Sequence, residues 1–215
     1  MRLLDLFCGA GGAAMGYYRA GFTDITGVDI KPMPRYPFKF VQADALEYLA
    51  EHGQEYDVIH ASPPCQGYSR MRHLPWLKDR VYPMLIDPIR DLLIKTGKTY
   101  VIENVEDAPL LNGITLCGLM FGLNLYRHRK FESNVLLWGK PHIKHEVPIF
   151  QSRFINKRYS AAGGVMGVFG HTTGTTLSAS RTALGIDWMT RDEITQAIPP
   201  FYTEYVGKQL MRVLP

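Results

Sequence analysis

The first dozen residues constrain this chain more than any other stretch. A short apolar run, Arg2 to Phe7, leads directly into Cys8-Gly9-Ala10-Gly11-Gly12. Glycines at such spacing let a strand turn sharply into a helix and let backbone approach a ligand with no Cβ in the way. The pattern after this turn is repetitive. Apolar runs at Ile25 to Asp29, Lys39 to Gln42, Tyr56 to Ala61 and Thr99 to Glu103 read as strands. Segments with helical spacing lie between them at Ala13 to Ala20, Asp44 to Glu51 and Leu85 to Thr96. Strands alternating with helices predict an α/β fold of Rossmann-like design, a mostly parallel sheet with helices on both faces.

The pattern changes after Asn104. Arg127 to Ser133 alternates in polarity and reads as a late antiparallel strand, whereas Pro141 to Gly174 is rich in Gly, Pro and basic residues and reads as loops. The sequence closes with Arg191 to Ala197, then the Pro199-Pro200 break, then Tyr202 to Leu214, whose spacing of Tyr205, Val206, Gln209, Leu210 and Val213 fits an amphipathic helix. At 215 residues, without repeats or a linker, one domain over 1–215 is expected, with 131–180 as a short insertion. No run approaches the roughly 20 apolar residues of a membrane span, and no signal peptide is evident, so a cytoplasmic location and no membrane partner are expected. Cys8, Cys65 and Cys117 contain no CxxC pair, so neither disulfides nor a metal site is expected. The net charge of +4 suits a polyanionic partner but is shared by many proteins without one.

Individual residues carry two readings each. The Gly9-Ala10-Gly11-Gly12 turn either cradles a ligand or serves helix–strand packing. Asp29, at the end of the second strand, either accepts ribose hydroxyls or is a solvated charge; Asp44 is suited both to cap a helix and to contact a cofactor. Together they suggest an adenosine-bearing cofactor. No Gly-Lys-Ser/Thr follows the glycines, which argues against a phosphate-binding loop, and the full nicotinamide fingerprint is missing. Cys65, in Ser62-Pro63-Pro64-Cys65-Gln66, is either a small buried hydrophobe or a nucleophile held beyond a strand's carboxyl end.

Taken in order, these motifs resemble those of the DNA (cytosine-5) methyltransferase family. Asp5 to Gly12 resembles its cofactor loop, Asp29 its ribose contact, Asp44 its adenine contact and Pro64-Cys65-Gln66 its catalytic loop. Ile102-Glu103-Asn104-Val105 resembles its ENV motif, and Arg127-His128-Arg129 its Arg-x-Arg motif. The resemblance implies S-adenosylmethionine as cofactor, S-adenosylhomocysteine as product, and DNA as substrate. It assigns Cys65, Glu103, Arg127 and Arg129 to catalysis. It assigns Phe7, Gly9, Ala10, Gly11, Gly12, Asp29, Ile30, Asp44, Ala45 and Pro64 to the cofactor, and Gln66, Ser69 and Asn104 to the substrate.

The chemistry implied has a physical logic. Carbon 5 of cytosine is a poor nucleophile, and a thiolate added at carbon 6 converts the ring into an enamine that attacks an electrophilic methyl group. A basic or dipolar environment that stabilises thiolate would help Cys65, and the resemblance implies Glu103 near ring N3 and one or both arginines holding a base flipped from the duplex. Leu125 stands where the family commonly has Gln, and Thr195 to Pro200 matches the family's closing segment loosely. The final helix is expected beside the cofactor loop. Between Phe131 and about Ser180 there is room for only a short target-recognition region. Lys140, Lys144, Arg153, Lys157 and Arg158, with Gly163-Gly164 and His171 to Gly174, either track DNA there or form a solvated connector. Short or relaxed recognition, or a partner's help, is expected. Alternatives are a DNA-binding module without turnover, or the same chemistry on RNA, on a nucleotide, or with a modified cofactor. A restriction-modification or viral role fits the compact size; the sequence does not fix the oligomeric state, and a monomer is the expectation.

Overall fold

The structure is a computed structural model that describes residues 1–69, 74–75, 79–146, 154–155, 158–159 and 176–214. Five parallel strands form the body of one sheet: β1 (Arg2–Leu6), β2 (Asp24–Asp29), β3 (Lys39–Gln42), β4 (Val58–Ala61) and β5 (Thr99–Asn104). Beyond β5 come β6 (Ile114–Leu116) and β7 (Arg129–Ser133), and the sheet order is β3-β2-β1-β4-β5-β7-β6, with β7 antiparallel to both its neighbours. A separate two-stranded ribbon pairs β8 (Phe154–Ile155) with β9 (Arg158–Tyr159). The expected mostly parallel sheet with a late antiparallel strand is therefore present.

Strand alternation sorts the core into two layers. On β1, Leu4 and Leu6 pack with Val28, Ile59, Ala61 and Ile102 against Leu49 of α2 (Ala45–His52) and Ile86, Ile89 and Leu93 of α3 (Ile86–Thr96). Leu3 packs with Ile25, Val58 and Val101 on the other face, under Tyr17 of α1 (Gly12–Ala20) and Tyr202, Val206 and Leu210 of α6 (Pro200–Val213). Helices thus cover both faces. Complete burial of each of these large side chains contributes about 1.5–3 kcal/mol against the entropy of ordering it.

The α1–α6 contact is close because both helices carry glycine where they meet. A Cβ on Gly16 would lie 2.2 Å from the Pro200 carbonyl oxygen and 2.0 Å from Thr203 Oγ1. The Thr203 hydroxyl donates to the Ala13 carbonyl (2.8 Å). This places the final helix against the helix that follows the glycine turn, as the resemblance implied.

Several boundaries differ from the sequence reading. β4 starts at Val58 rather than Tyr56, because a one-turn helix over Gly53–Glu55 occupies the approach and Asp57 is pinned to Arg2, its amide donating to the Arg2 carbonyl. β7 starts at Arg129, so Arg127 precedes the ladder; Tyr202 instead donates to the Arg127 carbonyl (2.6 Å). α6 begins two residues early since Pro200 occupies its first turn, where a missing N–H costs nothing. The three-residue β6 and α4 (Leu177–Leu184), capped by Thr176, were not foreseen. The closing segment from Arg191 forms a further helix, α5 (Arg191–Gln196), which opens with a Thr190–Glu193 capping box. Arg153, Lys157, Gly163-Gly164, His171 to Gly174 and the Arg158 side chain lie outside the described residues.

Candidate active site

The turn after β1 is built from left-handed backbone. Phe7 adopts φ 56°, rare for a non-glycine residue and costing about 1–3 kcal/mol, and Gly9 and Gly11 follow at 49° and 85°. A Cβ on Gly11 would lie 2.6 Å from the Pro37 ring, so glycine is needed there on two grounds. The Asp29 carboxylate holds this turn, accepting from the Gly9 amide (3.0 Å) through Oδ2 and from the Lys31 amide (3.0 Å) through Oδ1. From the other end of the chain, Trp188 donates to the Ala10 carbonyl (2.8 Å), and a Cβ on Gly12 would meet the Ile198 carbonyl at 2.5 Å.

Between this turn and the Met189–Ile198 segment lies a cavity of about 820 Å³, within the range of small-molecule sites. Of the residues expected at the cofactor, Phe7, Gly9, Ala10, Gly12, Asp29, Ile30 and Pro64 line it. Gly11 stands behind the turn, while Asp44 and Ala45 lie at the β3–α2 junction outside the lining. Asp44 caps α2, its Oδ1 accepting from the amides of Leu46 (2.8 Å) and Glu47 (3.1 Å).

Asp5 also lines the cavity and is fully buried. Its Oδ2 accepts from Tyr36 (3.2 Å), whereas Oδ1 has no hydrogen-bond partner among the described residues. Burial pushes this carboxyl well above the usual range, with Tyr36 opposing, the Asp29 charge reinforcing and the nearby Ala14 amide opposing more weakly without completing a hydrogen bond to Oδ1. An orphaned acceptor, an acidic strand end, backbone without Cβ and apolar walls fit an adenosyl cofactor that brings an amine and hydroxyls.

The Pro63-Pro64-Cys65 loop forms the opposite wall. Asn104, expected to touch substrate, is instead buried: its Nδ2 donates to the Pro63 carbonyl (2.8 Å) and its Oδ1 accepts from the Val105 amide (3.0 Å), so it clamps the loop. The amides of Tyr68 and Ser69 both donate to the Cys65 carbonyl at 3.0 Å, closing a turn that presents the thiol. Cys65 and Gln66 line the cavity; Ser69 sits beyond it at the end of that turn.

Glu103 and Arg129 line the same cavity and form an ion pair, Arg129 Nε to Glu103 Oε1 at 2.9 Å. Arg127 lies behind them, buried, donating to the Thr195 carbonyl (3.0 Å); burial first, then the Arg129 charge, push its pKa down to about 9. Burial raises the Glu103 pKa, with Arg129 and Arg127 opposing. Around Cys65, burial pushes the thiol up, outweighing the pull of Arg129 and Arg127, and Glu103 adds to the rise.

Sequence reading overlooked the polar chain behind Glu103. Tyr17 bonds His60 Nδ1 (3.0 Å), His60 Nε2 bonds Ser62 (2.7 Å), and Ser62 hydrogen-bonds Glu103. Burial pushes His60 down to about 3, leaving it neutral. Its signal was a histidine within the apolar run Val58-Ile59-His60-Ala61, as Asp5 was an acid within Leu3-Leu4-Asp5-Leu6.

Sheet order, glycine turn and acidic second-strand end define a Rossmann-like methyltransferase fold. Solved structures agree: Dnmt2 methyltransferase of S. pombe superposes with TM-score 0.67 at 13% identity over 99% of this chain and 98% of that one. An E. coli prophage-encoded protein described as a DNA modification methyltransferase gives 0.64 at 16%, covering 99% of both chains. The profile of the C-5 cytosine-specific DNA methylase family matches residues 1–110, and the chain belongs to that family. It is 28% identical over 148 residues to the Type II methyltransferase M.XorII of Xanthomonas oryzae pv. oryzae, covering 62% of this chain and 31% of that one. With M.FnuDI of Fusobacterium nucleatum it shares 32% over 112 residues, 49% of this chain and 33% of that one. The chain thus spans about a third of the length of the curated relatives it matches. Among the described residues no helix is long and apolar enough to cross a membrane.

Proposed function

We propose that this chain transfers a methyl group from S-adenosylmethionine to carbon 5 of cytosine in DNA. The observation that carries the reading is that Cys65, Glu103 and Arg129 face the same cavity as the glycine turn and Asp29. When bound, the cofactor supplies an electrophilic methyl group and leaves as S-adenosylhomocysteine. Asp29 would hold its ribose, Phe7 to Gly12 its amino-acid end, and Asp5 would offer a buried acceptor to an amine.

The Cys65 sulfur bonds carbon 6 of a base flipped out of the duplex as the thiol proton passes to water; once carbon 5 carries the methyl group, the carbon 5 proton leaves to water and the sulfur–carbon 6 bond breaks, which restores the free thiol. Burial keeps the resting thiol protonated, so the thiolate is formed when needed rather than stored. Glu103, its pKa raised by burial, carries a proton to higher pH than an ordinary carboxyl and donates it toward ring N3, which makes carbon 6 more electrophilic. Arg129 orients Glu103 and stabilises the thiolate; Arg127 acts from behind through charge. Gln66 contacts the entering strand, and Asn104 keeps the loop in position.

The test is transfer of radiolabelled methyl from S-adenosylmethionine to double-stranded DNA by wild type and Cys65→Ala, with nucleoside analysis. Label in 5-methylcytosine, lost in the variant, is expected. Label in RNA or none at all, with cofactor bound, would overturn the DNA reading; label retained by Cys65→Ala would overturn the covalent route.

A further inference from the structure

Away from the cavity, Cys117, His128, His142 and His145 each bring one ligand atom to a common point, all four within 4.8 Å of one another. Cys117 is buried just after β6, His128 stands immediately before β7, and the other two come from the segment that leaves β7. That segment is drawn back over the fold. Trp138 donates its amide to Gln209 Oε1 (2.7 Å), its carbonyl accepts from Tyr205 (2.9 Å), and the Lys140 ammonium lies 4.8 Å from the centre of the Phe121 ring.

Within the cluster, Cys117 Sγ lies 3.4 Å from His145 Nε2, and His128 Nε2 lies 2.9 Å from His142 Nε2. Tyr126 stacks on His145 with ring centres 3.8 Å apart, fixing its plane. An imidazole binds a metal through the lone pair of its unprotonated ring nitrogen, and each of the three rings turns one nitrogen toward the common point.

We infer that Cys117, His128, His142 and His145 bind one divalent transition-metal ion, and that the donor set selects Zn²⁺. Three imidazole nitrogens and a thiolate suit zinc and disfavour calcium or magnesium, which take oxygen ligands. Tetrahedral zinc with bonds of about 2.0 Å to nitrogen and about 2.3 Å to sulfur sets ligand atoms roughly 3.3–3.6 Å apart; the Cys117–His145 pair at 3.4 Å matches this, the His128–His142 pair at 2.9 Å is tighter, and with all four atoms within 4.8 Å small side-chain rotations close the shell. On binding, the Cys117 proton leaves to solvent. Four protein ligands fill the coordination shell, so the ion has a structural role: it ties β6, the entry to β7 and the segment beyond into one unit. His128 is the link to the cavity, since its neighbour Arg129 pairs with Glu103 and its neighbour Arg127 donates to the Thr195 carbonyl behind that pair. Cysteine spacing predicted no such site because it weighs cysteines alone, and here a single cysteine is completed by three histidines brought together by folding.

Zinc titration of the purified full chain against a chromophoric chelator, with elemental analysis, tests this, together with the visible spectrum of a Co²⁺-loaded sample. One equivalent of zinc, and tetrahedral cobalt bands with a thiolate charge-transfer band, are expected. His142→Ala changes an exposed side chain and should fold normally while weakening zinc by at least about 100-fold, more than loss of an outer-shell partner costs. Cys117→Ser should remove the charge-transfer band. Wild type binding well under one equivalent, octahedral cobalt, or unchanged affinity in folded His142→Ala would each overturn the assignment.

Discussion

Cys65 sits between opposed influences, and their balance is measurable. Its alkylation by iodoacetamide, followed by peptide mass spectrometry, should rise with pH through a midpoint above that of an ordinary cysteine, since burial disfavours the thiolate. Arg129→Gln removes the strongest counteracting charge and should move the midpoint further up, whereas Glu103→Gln removes a like charge and should move it down. Asp5 makes a second prediction. An acid whose pKa is raised on folding binds more protons folded than unfolded, so its contribution to stability falls as pH rises from the ordinary carboxylate range through the raised value. Asp5→Asn should therefore raise the thermal midpoint at pH 8 and lose that advantage near pH 4, in paired calorimetric melts; an equal gain at both values would count against a buried, proton-linked carboxyl. Cys65 and Glu103 were legible in sequence because each sits in a short local motif at a strand's end. Ser62, His60 and Tyr17 were not, because their link to Glu103 crosses from α1 through β4 to β5 and leaves no local spacing.

Between elements, the decisive contacts are close approaches and the buried Arg90–Glu132 ion pair. Gly16→Ala would drive a methyl group into the backbone of α6, and overpacking of this kind costs about 1–3 kcal/mol; a lowered urea midpoint should show it, and no change would mean that α6 shifts freely. Arg90 on α3 reaches β7, pairing with Glu132 through Nε (2.7 Å) and Nη2 (2.8 Å), and Glu132 also accepts from the Leu111 amide (2.7 Å). Glu132→Gln leaves Arg90 buried with only the exposed Asp87 as a charged partner and should cost about 3 kcal/mol by the same measurement. The five parallel strands and first three helices were readable because strand parity and helical spacing repeat over many residues. Their ends were less so: the start of β4 depends on a turn against Arg2, and the start of β7 on Tyr202 claiming the Arg127 carbonyl.

Across the whole molecule, the apolar face above Leu3, Ile25, Val58 and Val101 is completed only when α6 lies on α1. A chain cut after Gln196 should keep much of its helical circular dichroism yet bind a hydrophobic dye strongly and lose cooperative melting; a sharp transition in that fragment would show that α1 alone covers the sheet. The pairing of chain ends was legible only through family resemblance, since nothing in the spacing of Tyr205, Val206, Gln209, Leu210 and Val213 names the surface they meet. The same arrangement sets a timetable for synthesis. At about 5–20 residues per second, the ribosome exposes Tyr17 and Phe22 on the order of ten seconds or more before Tyr202 and Val206 emerge to cover them. During that interval the nascent chain carries a greasy half-built layer, and it is then that chaperones have the most to hold.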